Sequence, residues 1–164
     1  MKTRIIVDST VDVTDELRKQ MHVVPLHVRF GDEEFIDGVT INSQEFYQRL
    51  VESTVLPTSS QPAIGEVAAL YEQFAEDEIL NIAMAHGLSG TYQSACIAAA
   101  EYENIYVVDS TSAAMGSGIL TELALQLVDA GKSAEEIARI LEAEKEKIVI
   151  HHCFDDENLV EIGT

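Results

Sequence analysis

Three short, mostly apolar runs, each followed by a polar loop, constrain the fold of this chain more than any other feature. They are residues 4–8, 78–84 and 105–109. A strand that is buried on both faces of a sheet is apolar throughout, whereas a half-exposed strand alternates. Helical patterns separate the runs, so the sequence predicts an α/β fold with a mostly parallel sheet flanked by helices.

Turn and proline signals predict further strands outside this parallel set. Residues 23–30 have the composition of a strand interrupted by proline, and Gly31 then turns the chain into residues 34–36. This arrangement predicts an antiparallel hairpin, which we place as a decoration on the edge of the sheet. Residues 53–62 are predicted to be a loop, and residues 148–150 are predicted to be a last strand.

Capping signals mark the helices between the strands. Thr14, followed by two acidic residues, opens a short helix, and residues 42–45 and 133–136 have the spacing of capping boxes. A mostly apolar helix is predicted from about residue 112 to residue 128, and Gly131 is its expected end.

The charge balance limits the class of ligand. The chain has 29 acidic and 10 basic residues, a formal net charge of −19. A surface this negative repels phosphate backbones and anionic headgroups, which argues against nucleic acid and membrane-surface binding. A small anionic ligand is still compatible, because N–H groups gathered at one loop can outweigh a diffuse field. No apolar run is long enough to span a bilayer, so we expect no membrane insertion.

Length and cysteine content predict one intracellular domain. Of the 164 residues, 1–150 are predicted to form an α/β ligand-binding domain. Residues 151–164 have no periodicity and are expected to be an irregular tail or the start of a missing second domain. Cys96 and Cys153 are too few for a disulfide framework. The N-terminus has no signal-peptide core, so we expect a cytoplasmic protein.

Polar side chains gather in the loops that follow the predicted strands. In an open parallel sheet, ligands bind outside the carboxyl ends of the strands. The candidate ligand-binding residues are therefore Asp8, Ser9, Ser59, Ser60, Gln61, His86, Ser89, Gly90, Thr91 and Ser110.

The segment Ser89-Gly90-Thr91 carries the clearest chemical signal among these loops. It is predicted to lie at the N-terminus of a helix, where unpaired N–H groups and the helix dipole favour an anion. The four loops contain no Lys or Arg, so a carboxylate or a single phosphate fits better than a polyphosphate. The alternative for each single loop is that its Ser and Thr side chains only cap a helix.

Other candidate sites carry weaker signals. His86 near Ser89 and Asp109 suggests a nucleophilic triad, but the nucleophile-elbow motif is absent. Residues 116–118 are Gly-Ser-Gly without the third glycine of a dinucleotide site or the lysine of a P-loop. Residues 151–153 are His-His-Cys, and consecutive strand residues point to opposite faces. We therefore predict no catalytic residue, no metal site and no cofactor. Two other histidines, His22 and His27, are expected at the surface.

Six motifs occur in order along most of the chain and overlap these loops. They are Ile-Val-Asp-Ser-Thr at 6–10, Val-Pro-Leu at 24–26, Phe-Ile-Asp-Gly-Val at 35–39, Ser-Ser-Gln-Pro at 59–62, Gly-Leu-Ser-Gly-Thr-Tyr-Gln-Ser-Ala at 87–95 and Val-Asp-Ser at 108–110. Together they resemble the DegV family of bacterial fatty-acid-binding proteins.

The resemblance implies a carrier that holds the carboxylate of a long-chain fatty acid and presents it to a fatty acid kinase. The carboxylate would be bound by Ser89 and Gly90 and by the loop of Ser59, which stands where the family has threonine. The carrier itself would not be an enzyme. Family members have two serines where this chain has Ala85 and His86. They also continue into a second domain that closes over the acyl chain, and a homodimer is another way to supply that wall.

Two alternative functions stay open on the sequence. The first is phosphotransfer through His86, which lies where a phosphorylatable imidazole could sit at the edge of the sheet. The second is a ligand-free interaction module that keeps the same scaffold.

Overall fold

The computed structural model describes residues 2–150, which form two separate sheets and six α-helices. The strands are β1 (Thr3–Asp8), β2 (His22–Val24), β3 (His27–Phe30), β4 (Glu33–Ile36), β5 (Thr58–Ser60), β6 (Glu78–Ala83) and β7 (Ile105–Asp109). The helices are α1 (Asp15–Arg18), α2 (Ser43–Glu52), α3 (Ile64–Glu72), α4 (Thr91–Ala99), α5 (Met115–Asp129) and α6 (Ala134–Glu144), and a 3-10 turn (Lys145–Lys147) follows. The predicted tail at 151–164 lies outside the described residues.

The predicted parallel sheet is confirmed, with the strand order β2-β1-β6-β7. The adjacent strands are all parallel, with Ile5 opposite Leu80 and Ile82 opposite Val108. Alternate residues of β1 enter two different cores: Ile5 packs with residues of α5 and α6, and Ile6 packs with residues of α3 and α4. Because helices cover both faces, the central residues of β1 and most residues of β6 and β7 are apolar, as the sequence indicated. The exception inside β6 is Asn81, which is buried and donates to the Tyr71 hydroxyl at 2.7 Å.

The predicted hairpin forms from β3 and β4, but it does not decorate the parallel sheet. It belongs to a separate antiparallel sheet with the order β4-β3-β5. The third strand, Thr58–Ser60, lies inside the segment that we expected to be a loop. All of its residues are exposed and polar, so its backbone pairing with His27–Arg29 leaves no hydrophobic pattern in the sequence.

The capping predictions are confirmed. Asn42 and Ser133 accept hydrogen bonds from the amides of Glu45 and Glu136, and both capping boxes are complete. Gly131 follows α5 with φ +79°, a conformation that favours glycine at a helix end.

The segment around α5 and the last predicted strand differ from expectation. The helix begins at Met115 and not near residue 112, because Thr111 and Ala114 have positive φ angles that interrupt a helical path. Residues 148–150 are not a strand, and Ile148 instead packs at the margin of the core beside α5 and α6.

The Gly-Ser-Gly segment at 116–118 is buried in the first turn of α5. A Cβ atom on Gly118 would lie 2.1 Å from the backbone oxygen of Asp12, so only glycine permits this approach. The amide of Asp12 donates to the carbonyl of Ala114 at 3.2 Å, which joins the loop after β1 to the start of α5. These glycines therefore serve close packing. No helix within residues 2–150 has both the length and the hydropathy to cross a bilayer.

Candidate functional site

The loops after β1 and β6 are joined by a buried carboxylate. Asp8, the last residue of β1, accepts the amide of Met84 at 2.7 Å through Oδ2. Its Oδ1 accepts the amide of Thr10 at 3.0 Å and also the hydroxyl of Thr10. Asp8 is 4% exposed, so these bonds lie largely out of water. Asp8 thus holds the loops after β1 and β6 together at the carboxyl edge of the sheet.

A second aspartate organises the loop after β7. Asp109 Oδ1 accepts the amides of Thr111 at 2.9 Å and of His86 at 3.3 Å. Its Oδ2 lies 2.5 Å from Nδ1 of His86. The adjacent Ser110 donates its hydroxyl to the carbonyl of Ser112 at 2.9 Å. This loop is therefore tied to the loop after β6 through His86.

The Ser89-Gly90-Thr91 segment has the features of an anion-binding loop. The hydroxyls of Ser89 and Thr91 lie 2.9 Å apart, and Ser89 Oγ accepts the amide of Thr91 at 3.3 Å. Within residues 2–150, the amides of Gly90, Tyr92 and Gln93 have no hydrogen-bond acceptor. Unpaired amides at the start of a helix attract negative charge.

Gln61 connects the small antiparallel sheet to this loop. Its Nε2 donates to Ser94 Oγ on α4 at 2.9 Å. Its Oε1 contacts Gly90 so closely that a Cβ atom added to Gly90 would lie only 2.0 Å from this oxygen. Gln61 is therefore brought to the Ser89-Gly90-Thr91 segment, as the sequence prediction required.

The other predicted residues occupy different positions around the edge. Ser9 uses its hydroxyl to accept the amide of Leu26 at 3.0 Å. Ser59 and Ser60 lie in β5 and line a depression of about 200 Å³ together with His27 and Arg29. The role of all ten predicted residues in ligand binding stays a prediction.

The Ser89-His86-Asp109 triad, which the sequence suggested only weakly and which we did not predict, is partly assembled. His86 contacts Asp109, but the Ser89 hydroxyl bonds to Thr91 and makes no bond to His86 within the described range. No group of three or more His, Cys, Asp or Glu side chains in residues 2–150 is arranged to hold a metal ion.

An apolar-walled depression of about 340 Å³ lies beside the same loops. It is lined by Leu88, Ser110, Thr111, Ser112, Ala113, Ala114, Lys145, Ile148 and Ile150. Leu88 and Met115 are 68% and 65% exposed, so large apolar side chains face outwards near the polar loop. An amphipathic ligand matches this combination of polar loop and apolar wall.

Sequence reasoning missed His27, which was expected at the surface but is half-buried between two carboxylates. Its Nδ1 lies 3.1 Å from Glu34 Oε1 and its Nε2 lies 2.9 Å from Glu66 Oε1. Glu66 also accepts the amide of Ala63 at 2.7 Å, at the start of α3. The hydrogen bond to Glu34, with that to Glu66, raises the pKa of His27. His27 thus joins the small sheet to α3, and the raised pKa means that this contact is strongest when His27 is protonated.

This contact predicts a stability difference that depends on pH. The pKa of His27 is raised above 6.5 in the folded state. The contribution of the His27 contacts to the free energy of unfolding is therefore full below about pH 6.5 and is lost as pH rises through the folded-state pKa. We expect His27→Gln to lower the urea midpoint most at about pH 6. The difference in midpoint between the parent chain and the variant should become smaller by about pH 9.

His22 supplies a control of opposite sign for this measurement. Burial lowers the pKa of His22, so the gap between the parent chain and His22→Gln should narrow as pH falls. A gap for His27→Gln that stays constant across the pH range would contradict the role given to His27.

Comparison with known proteins agrees with this architecture. The profile of a family described as "Uncharacterised protein, DegV family" matches residues 2–161. A fatty-acid-binding DegV family protein from Thermus thermophilus superposes with a TM-score of 0.80 at 33% identity, covering 89% of this chain and 54% of that one. DegV from Bacillus subtilis, described as a fatty acid binding protein, gives a TM-score of 0.81 at 34% identity, with the same coverage.

Curated sequences give the same assignment. Protein DegV of Bacillus subtilis (strain 168) is 33% identical over 163 residues, which are 95% of this chain and 58% of that protein. A DegV domain-containing protein of Staphylococcus aureus (strain COL) is 36% identical over 152 residues, 90% of this chain and 54% of that protein. The chain thus spans somewhat more than half the length of these relatives. With its matched profile and sheet topology, this chain belongs to the DegV family.

Proposed function

We propose that this chain binds a long-chain fatty acid by its carboxylate and presents it, in the cytoplasm, to a fatty acid kinase. The observation that carries the proposal is the set of amides of Gly90, Tyr92 and Gln93, which lack acceptors within residues 2–150 and lie beside the hydroxyls of Ser89 and Thr91. The description of the Thermus thermophilus and Bacillus subtilis relatives as fatty-acid-binding proteins supports the ligand class.

The headgroup chemistry follows from the groups available. A carboxylate at the start of α4 would accept from the free amides, and the Ser89 hydroxyl would donate to it once released from Thr91. Hydrogen bonds to a charged group are stronger than neutral ones and contribute about 1.5–3 kcal/mol each. In this proposal Gln61 closes one side of the carboxylate, with Ser59 and Ser60 beyond it. His86 lies on the other side.

The acyl tail would lie along the exposed apolar side chains near the loop. Leu88, Met115 and Ile119 are all more than half exposed, and their contact with methylene groups would supply the driving force. Burial of each methylene contributes about 0.8 kcal/mol. The affinity therefore depends on a second surface that covers the acyl chain from the side opposite these residues. We propose that residues 1–150 are the headgroup-binding domain and that a second domain or a second copy of the chain supplies that surface.

The carrier role assigns catalysis to the partner. We place no catalytic base at the carboxylate: the side chains of Ser89, Thr91 and Gln61 bind and orient it but do not ionise near neutral pH, and we assign His86 no role as a base in carboxylate binding. The net charge of −19 favours a kinase that presents a basic docking face.

The proposal is tested by native mass spectrometry of the purified chain together with titration of oleate. We expect a bound fatty acid in the parent chain and binding to Ser89→Ala weakened by about 10–100-fold, the loss of one hydrogen bond to a charged group. Ser53→Ala, in the exposed turn after α2, is the matched control and should bind as the parent does.

Two outcomes would contradict the proposal. Equal oleate affinity in Ser89→Ala and the parent would remove the headgroup assignment. A chain that carries no lipid, binds no oleate and forms a stable self-association would favour a ligand-free interaction module.

A further inference from the structure

The contact between His86 and Asp109 goes beyond what fatty-acid binding requires. Asp109 holds His86 twice, through the ring nitrogen Nδ1 at 2.5 Å and through the backbone amide at 3.3 Å. The carboxylate is 10% exposed, whereas the imidazole is 74% exposed. A surface histidine is thus anchored by a nearly buried carboxylate, with its far edge open to solvent.

This anchoring determines which nitrogen of His86 is reactive. A carboxylate can only accept, so Nδ1 must carry the proton in their hydrogen bond. In the neutral imidazole the lone pair is then on Nε2. Within residues 2–150, Nε2 of His86 has no hydrogen-bond partner. The dyad therefore presents an oriented nitrogen nucleophile at the carboxyl edge of the sheet.

The surroundings of the dyad are compatible with an anionic reactant. His86 lies in the turn closed by hydrogen bonds from the amides of Leu88 and Ser89 to the carbonyl of Ala85, directly before α4. The one described carboxylate in contact with the ring is Asp109 itself. Lys145 donates to the carbonyl of Asp109 at 3.1 Å and pairs with Glu142 at 2.6 Å, so it supports the loop after β7 without adding net positive charge.

We propose that Nε2 of His86 is a phosphoryl-acceptor site whose donor is an acyl phosphate. The Nε2 lone pair attacks phosphorus and forms the N–P bond while the P–O bond to the acyl group breaks. The carboxylate leaves with that electron pair, and nothing is oxidised or reduced. The Nδ1 proton stays in its hydrogen bond to Asp109, whose negative charge stabilises the phosphoimidazolium.

The choice of donor rests on the proposed function, because phosphorylation of a bound carboxylate produces an acyl phosphate at this same edge. The chemistry of His86 can nevertheless be tested without lipid. Acetyl phosphate is the smallest donor of this class and has no acyl tail. Failure of the phosphoryl transfer and failure of fatty-acid binding are thus separate results.

The experiment incubates the full chain with acetyl phosphate and measures protein-bound phosphate that is stable to alkali and labile to acid, with the modified residue located by mass spectrometry. We expect one phosphoryl group on His86, none in His86→Gln, and labelling slowed by about 10–100-fold in Asp109→Asn, which loses the orienting acceptor. His22→Gln is the matched control and should be labelled as the parent is.

Three results would overturn the proposal. They are the absence of acid-labile phosphate in the parent chain, its persistence in His86→Gln, and an unchanged labelling rate in Asp109→Asn. Circular dichroism of each variant separates lost chemistry from lost fold, and substitution at the exposed imidazole of His86 should leave the spectrum unaltered.

Discussion

Replacing Gly118 with alanine is expected to lower the free energy of unfolding by about 1–3 kcal/mol, although alanine is the better helix former. The added methyl group would lie 2.1 Å from the backbone oxygen of Asp12. A backbone atom cannot rotate away as a side chain can, so α5 or the loop after β1 must move. Either movement strains the hydrogen bond from Asp12 to Ala114. Urea denaturation gives the loss directly as a lower midpoint.

Gly65 provides a matched control for this substitution. It lies in the first turn of α3, as Gly118 lies in the first turn of α5, but nothing lies within 4 Å of a Cβ atom placed there. Gly65→Ala should therefore stabilise the chain by about 0.4–1 kcal/mol. If both variants raised the midpoint, helix propensity and not close packing would govern Gly118.

The substitution Asp8→Asn is expected to cost about 1.5–3 kcal/mol of stability, the contribution of a hydrogen bond to a charged group. Both oxygens of Asp8 accept hydrogen bonds, one from the amide of Met84 and the other from Thr10. The asparagine amide replaces one oxygen with an NH₂ donor, which must then face another donor. The nearly isosteric side chain retains its volume, so the loss reports hydrogen bonding and not packing.

Asp32→Asn, in the exposed turn between β3 and β4, is the control for Asp8→Asn and should change the urea midpoint little. Thermal unfolding of the two variants beside the parent completes the measurement. A loss at Asp8 no larger than that at Asp32 would mean that the carboxylate does not hold the edge of the sheet.

The parallel sheet could be predicted from the sequence because burial on both faces leaves mostly apolar runs without alternation, as in β1 and β6. The third strand of the small sheet could not be predicted, since Thr58–Ser60 has no buried side chain and pairs only through its backbone. The turn at Gly31 predicted the hairpin, but the sequence did not indicate that the hairpin belongs to a separate sheet. Strand pairing to a distant partner depends on tertiary neighbours and not on local residue type.

At the candidate site, the polar residues at the start of a helix could be predicted from the sequence, whereas the contacts between side chains that are distant in sequence could not. Ser89-Gly90-Thr91 lies at the start of α4, and this position, on which the proposed anion binding rests, follows from local sequence. The contact of His86 with Asp109 joins residues 23 positions apart, and that of His27 with Glu66 joins residues 39 positions apart. Such separations carry no periodic signal. The sequence therefore suggested the contact of His86 with Asp109 only weakly, and it placed His27 at the surface without partners.

The attachment of Gln61 to the small sheet has a consequence for apparent affinity. That sheet is outside the two main hydrophobic cores and contains an exposed strand, which is typical of regions that open locally at low free energy. In the proposed function Gln61 closes one side of the carboxylate, so a molecule in which this sheet has opened would not be competent to bind. The observed dissociation constant would then equal the intrinsic constant divided by the closed fraction. A substitution in β4, which pairs with β3 and not with the strand of Ser59 and Ser60, would thus weaken binding by changing the population and not the contacts.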